Sequence, residues 1–386
     1  MLRNVLRRGP AVLAFLLTAM SPSQPLAGSE QTSNAGFIVY VGTYGEGIYA
    51  FRFHPVQGSR LEPLGLTGKL TSPSFIACDR QYRHLYAVSE VQGKGDGAVG
   101  AFSIDRRSGF LTQLNTASSA GNSPCHLAVD HTSKMLLVAN YGTGGVSAFP
   151  LEHDGRLGHM SDLATAQGSS EDPQRQKGPH AHETVISADN RFVYVPDLGL
   201  DQIRIYKLDP DHGKLVSNDP AFVKTEPGSG PRHIAFAPNG KHAYSLHELK
   251  HIVTVFNHDP KTGTLDPIQT VSTVPPGFTG ENAGAEIAVD ASGKHLYASN
   301  RGPGTIAVFD IDPGNGTLRE TQMADTGGTT PRGFEIDPTG RYFFVGDQKS
   351  NHFTVMEIEP GTGRLRGGGP VYEVPSPVAF LFVPAS

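Results

Sequence analysis

A segment of roughly fifty residues returns seven times along this chain, beginning at Pro73, Pro124, Pro179, Pro231, Gly284, Pro331 and Pro377. The clearest copy reads Gly-Pro231-Arg232-His233-Ile-Ala-Phe-Ala-Pro238-Asn239-Gly240-Lys241-His-Ala-Tyr244-Ser-Leu, then His247-Glu248-Leu and Val253-Thr-Val-Phe256. Short β-type runs separated by Gly/Pro turns, repeated at this period, predict an all-β fold, a seven-bladed β-propeller. In each copy Ile234-Ala-Phe-Ala reads as an innermost strand, Pro238-Asn239-Gly240 as a turn, and His242 to Leu246 as the returning strand.

A second turn signal recurs between the third and fourth strands: Asp209-Pro210 to Gly213, Asp259-Pro260 to Gly263, Asp312-Pro313 to Gly316, and Glu359-Pro360 to Gly363. Proline fixes φ early in such a turn, and glycine takes the left-handed position that a β-carbon resists. The ring closes on itself. Phe37 to Leu61 carries the outer strands of a blade without an innermost one, and Ser376-Pro377-Val-Ala-Phe-Leu-Phe-Val is an innermost strand with nothing after it. Pairing the N- and C-terminal segments completes one blade and removes two sheet edges.

The 386 residues thus divide into one propeller, residues 36–386, a short linker, 28–35, and an N-terminal segment, 1–27, that reads as an export signal. Arg3, Arg7 and Arg8 precede an apolar run from Ala11 to Met20, and small residues follow near Ala27-Gly28. The run is too short to span a membrane, which takes about 20 apolar residues. A periplasmic or secreted protein is expected, with no membrane span in the mature chain. A net charge of -5 gives no cationic footprint for nucleic acid. Cys78 and Cys125 are the only cysteines, which excludes a disulfide framework and a cysteine-rich zinc site; two separately buried thiols are expected rather than a bridge.

In a four-stranded blade the start of the first strand and the end of the second meet at one mouth. The residue after the leading proline is Ser74, Cys125, His182, Arg232, Ala285, Arg332 and Val378 in successive copies, with a two-residue insertion before His182 that leaves His180 as a competing alignment. The residue seven after the turn Lys/Arg is Glu90, Tyr141, Leu198, Glu248, Arg301 and Gln348, and Tyr44 fills that position in the split blade. Turn positions repeat from blade to blade, whereas these do not. Imidazoles, guanidiniums and carboxylates gathered at one mouth are costly to confine unless they pair or meet a ligand. Two explanations follow: blade-to-blade salt bridges such as Arg232 with Glu248 or Arg301 with Glu286, or a pocket for an anionic, oxygen-rich small molecule. His126 and His233 stand one position further along their innermost strands, either as supporting partners of the site or, the commoner case, as packing histidines.

Gly-Pro-His-Ala-His182, Gly-Pro-Arg232-His233, His-Glu248-Leu, Ser-Asn-Arg301 and Thr-Pro-Arg332-Gly-Phe, with Leu-Tyr-Ala/Val strands between them, resemble the lactonase family of seven-bladed propellers over about Phe37 to Val383. That family includes bacterial propeller 6-phosphogluconolactonases and the fungal 3-carboxy-cis,cis-muconate lactonizing enzyme. The resemblance implies that His182, Arg232, Glu248 and Arg301 form the catalytic group, with His180, His126, His233, Arg332, Glu90 and Gln348 as substrate-binding candidates. Lactone hydrolysis needs a base, Glu248 or His182, and donors for the oxyanion, Arg232 and Arg301; neither metal nor other cofactor is expected. The alternatives are a lactonizing cyclase using the same groups in reverse and a propeller that only binds partners. The stretch Gly158 to Gly178, rich in Ser, Asp, Gln and Gly, lies on the mouth side as either a lid or a plain surface loop.

Overall fold

In a computed structural model, residues 36–91 and 97–386 are described; the proposed export signal and linker, residues 1–35, lie outside them. Seven antiparallel sheets follow one another around an axis. The innermost strand of the closing blade, Pro377–Pro384, pairs with Phe37–Thr43, which continues to Gly47–Phe53 and Leu61–Lys69. The register runs from Phe37 opposite Pro384 to Thr43 opposite Pro377, so the two ends of the described chain share one ladder. The next blades have innermost strands Ile76–Cys78, Pro124–Val129, Val185–Ile186, Pro231–Phe236, Gly284–Val289 and Pro331–Ile336. The blade beginning at Pro331 gains a fifth short strand, Val371–Glu373, beside its third.

The core lies between blades rather than inside any one of them. In His242–His247 every residue is buried, and alternate side chains face opposite neighbours: Ala243 packs with Tyr194 and Ile205 of the preceding blade, and Tyr244 and Leu246 with Leu296 and Phe309 of the next. Seven such apolar clusters fill the seven junctions. A strand sandwiched on both faces must be apolar at consecutive positions, which is why these strands read as short continuous runs.

Polar latches reinforce the junctions at the rim. The hydroxyls of Tyr86, Tyr194, Tyr244 and Tyr297 donate to the carbonyls of Gly155, Gly263, Gly316 and Gly363 in the next blade, at 3.1, 3.1, 3.1 and 2.8 Å. These are the glycines of the third-to-fourth-strand turn. Gly316 has φ +75°, and a β-carbon there would lie 2.4 Å from the His242 ring. The turn glycine therefore serves both the left-handed backbone and the close approach of the neighbouring blade. Tyr244→Phe removes one hydrogen bond and is expected to cost about 1 kcal/mol. Gly316→Ala, which adds strain and a clash, should lower the urea midpoint further than Tyr244→Phe; the reverse order would show that the contact is not tight.

Candidate functional site

One backbone hydrogen bond recurs in all seven blades and builds the mouth. The N–H of Tyr44, Glu90, Tyr141, Leu198, Glu248, Arg301 and Gln348 donates to the carbonyl of Ser376, Ser72, Ser123, His180, Gly230, Ala283 and Thr330 respectively. Each bond ties the end of the second strand to the residue just before the leading proline or its equivalent, so the two variable positions of a blade always arrive together. In five blades the innermost position falls at a break in register, where Val378, Cys125, Arg232, Ala285 and Arg332 drop out of the ladder. A bulge re-aims its side chain, which frees this position from the sheet's own packing.

The alignment around His180 and His182 is settled by the same register. Ala181 bridges Asp197 as Pro231 pairs with His247, so His182 is the equivalent of Arg232. His180 sits one step outside. Its Nδ1 donates to the Tyr141 carbonyl at 2.7 Å, and its ring stacks on the Tyr141 ring with centroids 4.6 Å apart. His180 thus backs the wall of the mouth and does not line it.

The mouth opens into a bowl of about 950 Å³ whose wall includes Tyr44, Glu90, Tyr141, His182, Glu248, Arg301, Arg332 and Gln348. At its centre Glu248, 4% exposed, meets three guanidiniums. Its Oε1 lies 2.6 Å from Nη2 of Arg175, and its Oε2 lies 2.8 Å from Nη2 of Arg301 and 3.2 Å from Nε of Arg232. Burial alone would raise this carboxyl, but Arg301, Arg232 and Arg175 outweigh it and hold the pKa at about 2. Arg301 is anchored in turn on the carbonyls of Ala283 and Gly284, and Arg232 on that of Ala285. Arg301 pairs with Glu248, and Glu286 takes a different partner, described below. Arg232 lies beneath Glu248, 3% exposed, on the wall of a second, water-sized cavity of about 10 Å³.

His182 borders the bowl while being 4% exposed. Burial first, then the nearby charge of Arg232, holds its imidazole well below the usual 6.5, so it is neutral at neutral pH. Its Nδ1 makes only a long contact, 3.8 Å, with Cys125 Sγ. Glu90 accepts hydrogen bonds from Tyr44 Oη at 2.7 Å and Ser74 Oγ at 2.5 Å, and the Arg332 guanidinium lies over the Tyr44 ring at 5.2 Å. Both cysteines are free; burial pushes the Cys125 thiol up, which leaves it unreactive.

His126 and His233 belong to a ring one layer deeper. The position following the innermost mouth residue of each blade is Phe75, His126, Glu183, His233, Glu286, Gly333 or Ala379, and the polar members pair around the axis. His233 Nδ1 lies 2.8 Å from Glu286 Oε1, and His126 Nε2 lies 3.6 Å from Glu183 Oε1 with its ring against Phe75 at 3.8 Å. Burial raises Glu286 to about 7 despite Arg232, and lowers both imidazoles. Extending the alignment by one residue would have found Glu183 and Glu286. Arg175 had no such signal, because it lies between the fourth strand of its blade, Asp162–Ala164, and the next innermost strand, in a segment the other blades do not share. Among the described residues no group of three or more His, Cys, Asp or Glu side chains is arranged to hold a metal ion.

The family described as lactonase, seven-bladed β-propeller, matches residues 38–382. The chain is 37% identical over 303 residues to the 6-phosphogluconolactonase of Bacillus subtilis, covering 77% of this chain and 84% of that protein. It is 34% identical over 275 residues to the 6-phosphogluconolactonase of Pectobacterium carotovorum, covering 71% and 76%. Among solved structures, the periplasmic gluconolactonase of Pseudomonas aeruginosa superposes with a TM-score of 0.86 at 33% identity, covering 91% of this chain and 99% of that one. Glu248→Gln should expose what the central carboxylate does for the fold. Removing the one charge that compensates three guanidiniums, of which Arg232 is buried and Arg301 largely so, is expected to cost about 3 kcal/mol. Added phosphate should restore part of that in urea denaturation. An unchanged midpoint would mean that the guanidiniums are not held against one another.

Proposed function

Since the chain belongs to the seven-bladed β-propeller lactonase family, we propose that it hydrolyses a sugar-acid lactone in the bowl, with His182 as base. The observation that carries the choice of base is the different engagement of the two candidates. Glu248 is an ionised carboxylate saturated by guanidiniums, whereas His182 borders the same bowl as a neutral imidazole without a strong hydrogen bond. Glu248 instead fixes Arg301 and Arg232, whose positive charge faces the region where an oxyanion develops.

In this reading a water attacks the lactone carbonyl carbon and passes a proton to His182, while Arg301 stabilises the oxyanion of the tetrahedral intermediate. The intermediate then expels the ring oxygen, which takes the proton back from His182, and the product is the open hydroxy acid. The depressed basicity of His182 suits the second half of the cycle. An imidazolium surrounded by arginines is a stronger acid than a free one and gives its proton up readily.

The lactonizing and binding-only alternatives have no comparable support, since the Bacillus subtilis and Pseudomonas aeruginosa relatives, matched over most of the chain, bear the names of lactone hydrolases. We also read residues 1–27 as an export signal, supported by the Arg-apolar-small pattern and by the periplasmic naming of a similar structure. N-terminal sequencing of protein from a periplasmic fraction should begin near Gly28; retention of Met1 would refute export.

The base assignment is tested by kinetics on glucono-δ-lactone and its 6-phospho form. His182→Ala is expected to lower kcat by ~100-fold or more, with the circular dichroism spectrum unchanged. The neutral form is the active one, so the rate falls as pH drops through the lowered pKa of His182. The acid limb of kcat/KM should therefore lie below pH 6.5, and a limb centred above that value, or a fully active variant, would remove His182 from the role.

A further inference from the structure

The blade containing Leu198 is the one whose mouth position is filled from outside its own sheet. Leu198 is fully buried, where other blades offer Glu90, Glu248 or Arg301 to the bowl. Over it runs the end of the Gly158 to Gly178 stretch, and this strap delivers Arg175 into the vacant sector.

The strap is anchored without help from the Arg175 side chain. Gln176, 0% exposed, donates from Nε2 to the Leu198 carbonyl at 2.8 Å and accepts from the Asp172 N–H at 2.9 Å. Asp172 Oδ1 accepts from the N–H groups of Gln174 and Arg175 at 2.8 and 3.0 Å. Ser170 Oγ donates to Asp201 Oδ2 at 2.5 Å, and Asp201 also accepts from the N–H groups of Gly228 and Gly230 at 2.6 and 2.7 Å. The stretch read from sequence as either a lid or a surface loop ends in a tied strap with one arginine turned inward.

That arginine is committed differently from its two companions. Arg232 and Arg301 spend donors on backbone carbonyls and are fixed by the sheet. The Arg175 side chain, 41% exposed, bonds only through Nη2, to Glu248 Oε1 at 2.6 Å and Tyr141 Oη at 3.1 Å. A guanidinium has five N–H donors, and the Nε and Nη1 edge is left for an incoming planar or tetrahedral anion. Charge favours that guest. The bowl wall carries Arg175, Arg301, Arg332 and Lys349 against Glu90, Glu248 and Glu281, with Arg232 directly below.

We infer that Arg175 is a specificity residue that binds the acidic substituent of the lactone, a phosphate or a carboxylate, so that the strap makes this propeller select anionic lactones over neutral ones. The inference rests on the lactone-hydrolase reading of the bowl and adds to it the substrate class. Glu248 stays compensated by Arg232 and Arg301 while Arg175 serves the substrate, so binding the anion does not dismantle the centre.

The test compares wild type, Arg175→Gln and Arg175→Lys on 6-phosphoglucono-δ-lactone, on glucaro-1,4-lactone, whose second carboxyl is free, and on the neutral glucono-δ-lactone. Wild type should prefer an acidic lactone, and its larger response to phosphate or to carboxylate identifies which anion the site takes. Arg175→Gln should reduce the ratio of acidic to neutral kcat/KM by ~10–100-fold, chiefly through KM, as expected for a charge-assisted contact. Arg175→Lys should retain part of the preference, keeping the charge but losing the fork. Equal losses on all three lactones would overturn the inference, since Arg175 would then act only through Glu248. A calorimetric titration with 6-phosphogluconate and gluconate separates this from the hydrolase reading. Tighter binding of the phosphorylated acid, lost in Arg175→Gln, supports the anion site even if no lactone is turned over. Hydrolysis with no preference in rate or binding overturns the anion site and leaves the hydrolase reading intact.

Discussion

Closure of the ring by one antiparallel ladder, Pro377–Pro384 against Phe37–Thr43, is the constraint on which the rest of this molecule depends. Each blade buries both faces of its second strand against its neighbours, so a blade has no stable core of its own. An open arc would leave an apolar face bare at each end and two rows of unpaired backbone groups beside it. Making the closing blade from both ends of the propeller converts seven pairwise contacts into a cycle. The aromatic packing there is correspondingly dense: Phe53 meets Tyr342 and Phe344 edge-on at 5.5 and 5.3 Å, and Phe344 meets Phe382 at 4.9 Å.

A closed ring also explains how a mouth can hold so much charge. The sheets are stabilised at their junctions and by latches such as that of Tyr297 on Gly363, away from the axis. The innermost residues that bulge out of the ladder are thereby released from core packing. They can carry arginine without disturbing the blade, provided that the charges compensate one another across the axis. Glu248 provides that compensation for guanidiniums from its own blade, the next blade and the strap.

The fold was legible because it repeats. A turn proline or glycine observed seven times is a statement about backbone geometry, and Pro231 and Gly263 kept their meaning in the structure. The paired mouth positions were legible for the same reason, since one hydrogen bond per blade joins them. What could not be read was depth and pairing. Sequence placed Arg232 and Arg301 as equals, yet the bulge sends Arg232 under Glu248 while Arg301 reaches the open bowl. His126 and His233 turned out to lie with Glu183 and Glu286 in the layer beneath, a separation set by the pleat: consecutive residues on the innermost strand face different levels of the channel. Arg175 was invisible in any alignment of blades because an insertion has no register.

The same separation of levels bears on how the site can work. Positive charge concentrated at one level holds the Glu248 carboxylate near pKa 2 and adds to burial in holding the His182 imidazole below its usual value. Directly beneath, Glu286 is raised to about 7, because burial there exceeds what Arg232 offsets. Two layers a single residue apart in sequence thus differ in the sign of their response: the upper favours anions, the lower favours neutral, proton-sharing pairs such as His233 with Glu286. An anion entering the bowl is therefore stabilised by the upper layer without ionising the lower one. The separation is maintained by the ring itself, which places the mouth residue and its successor at different depths.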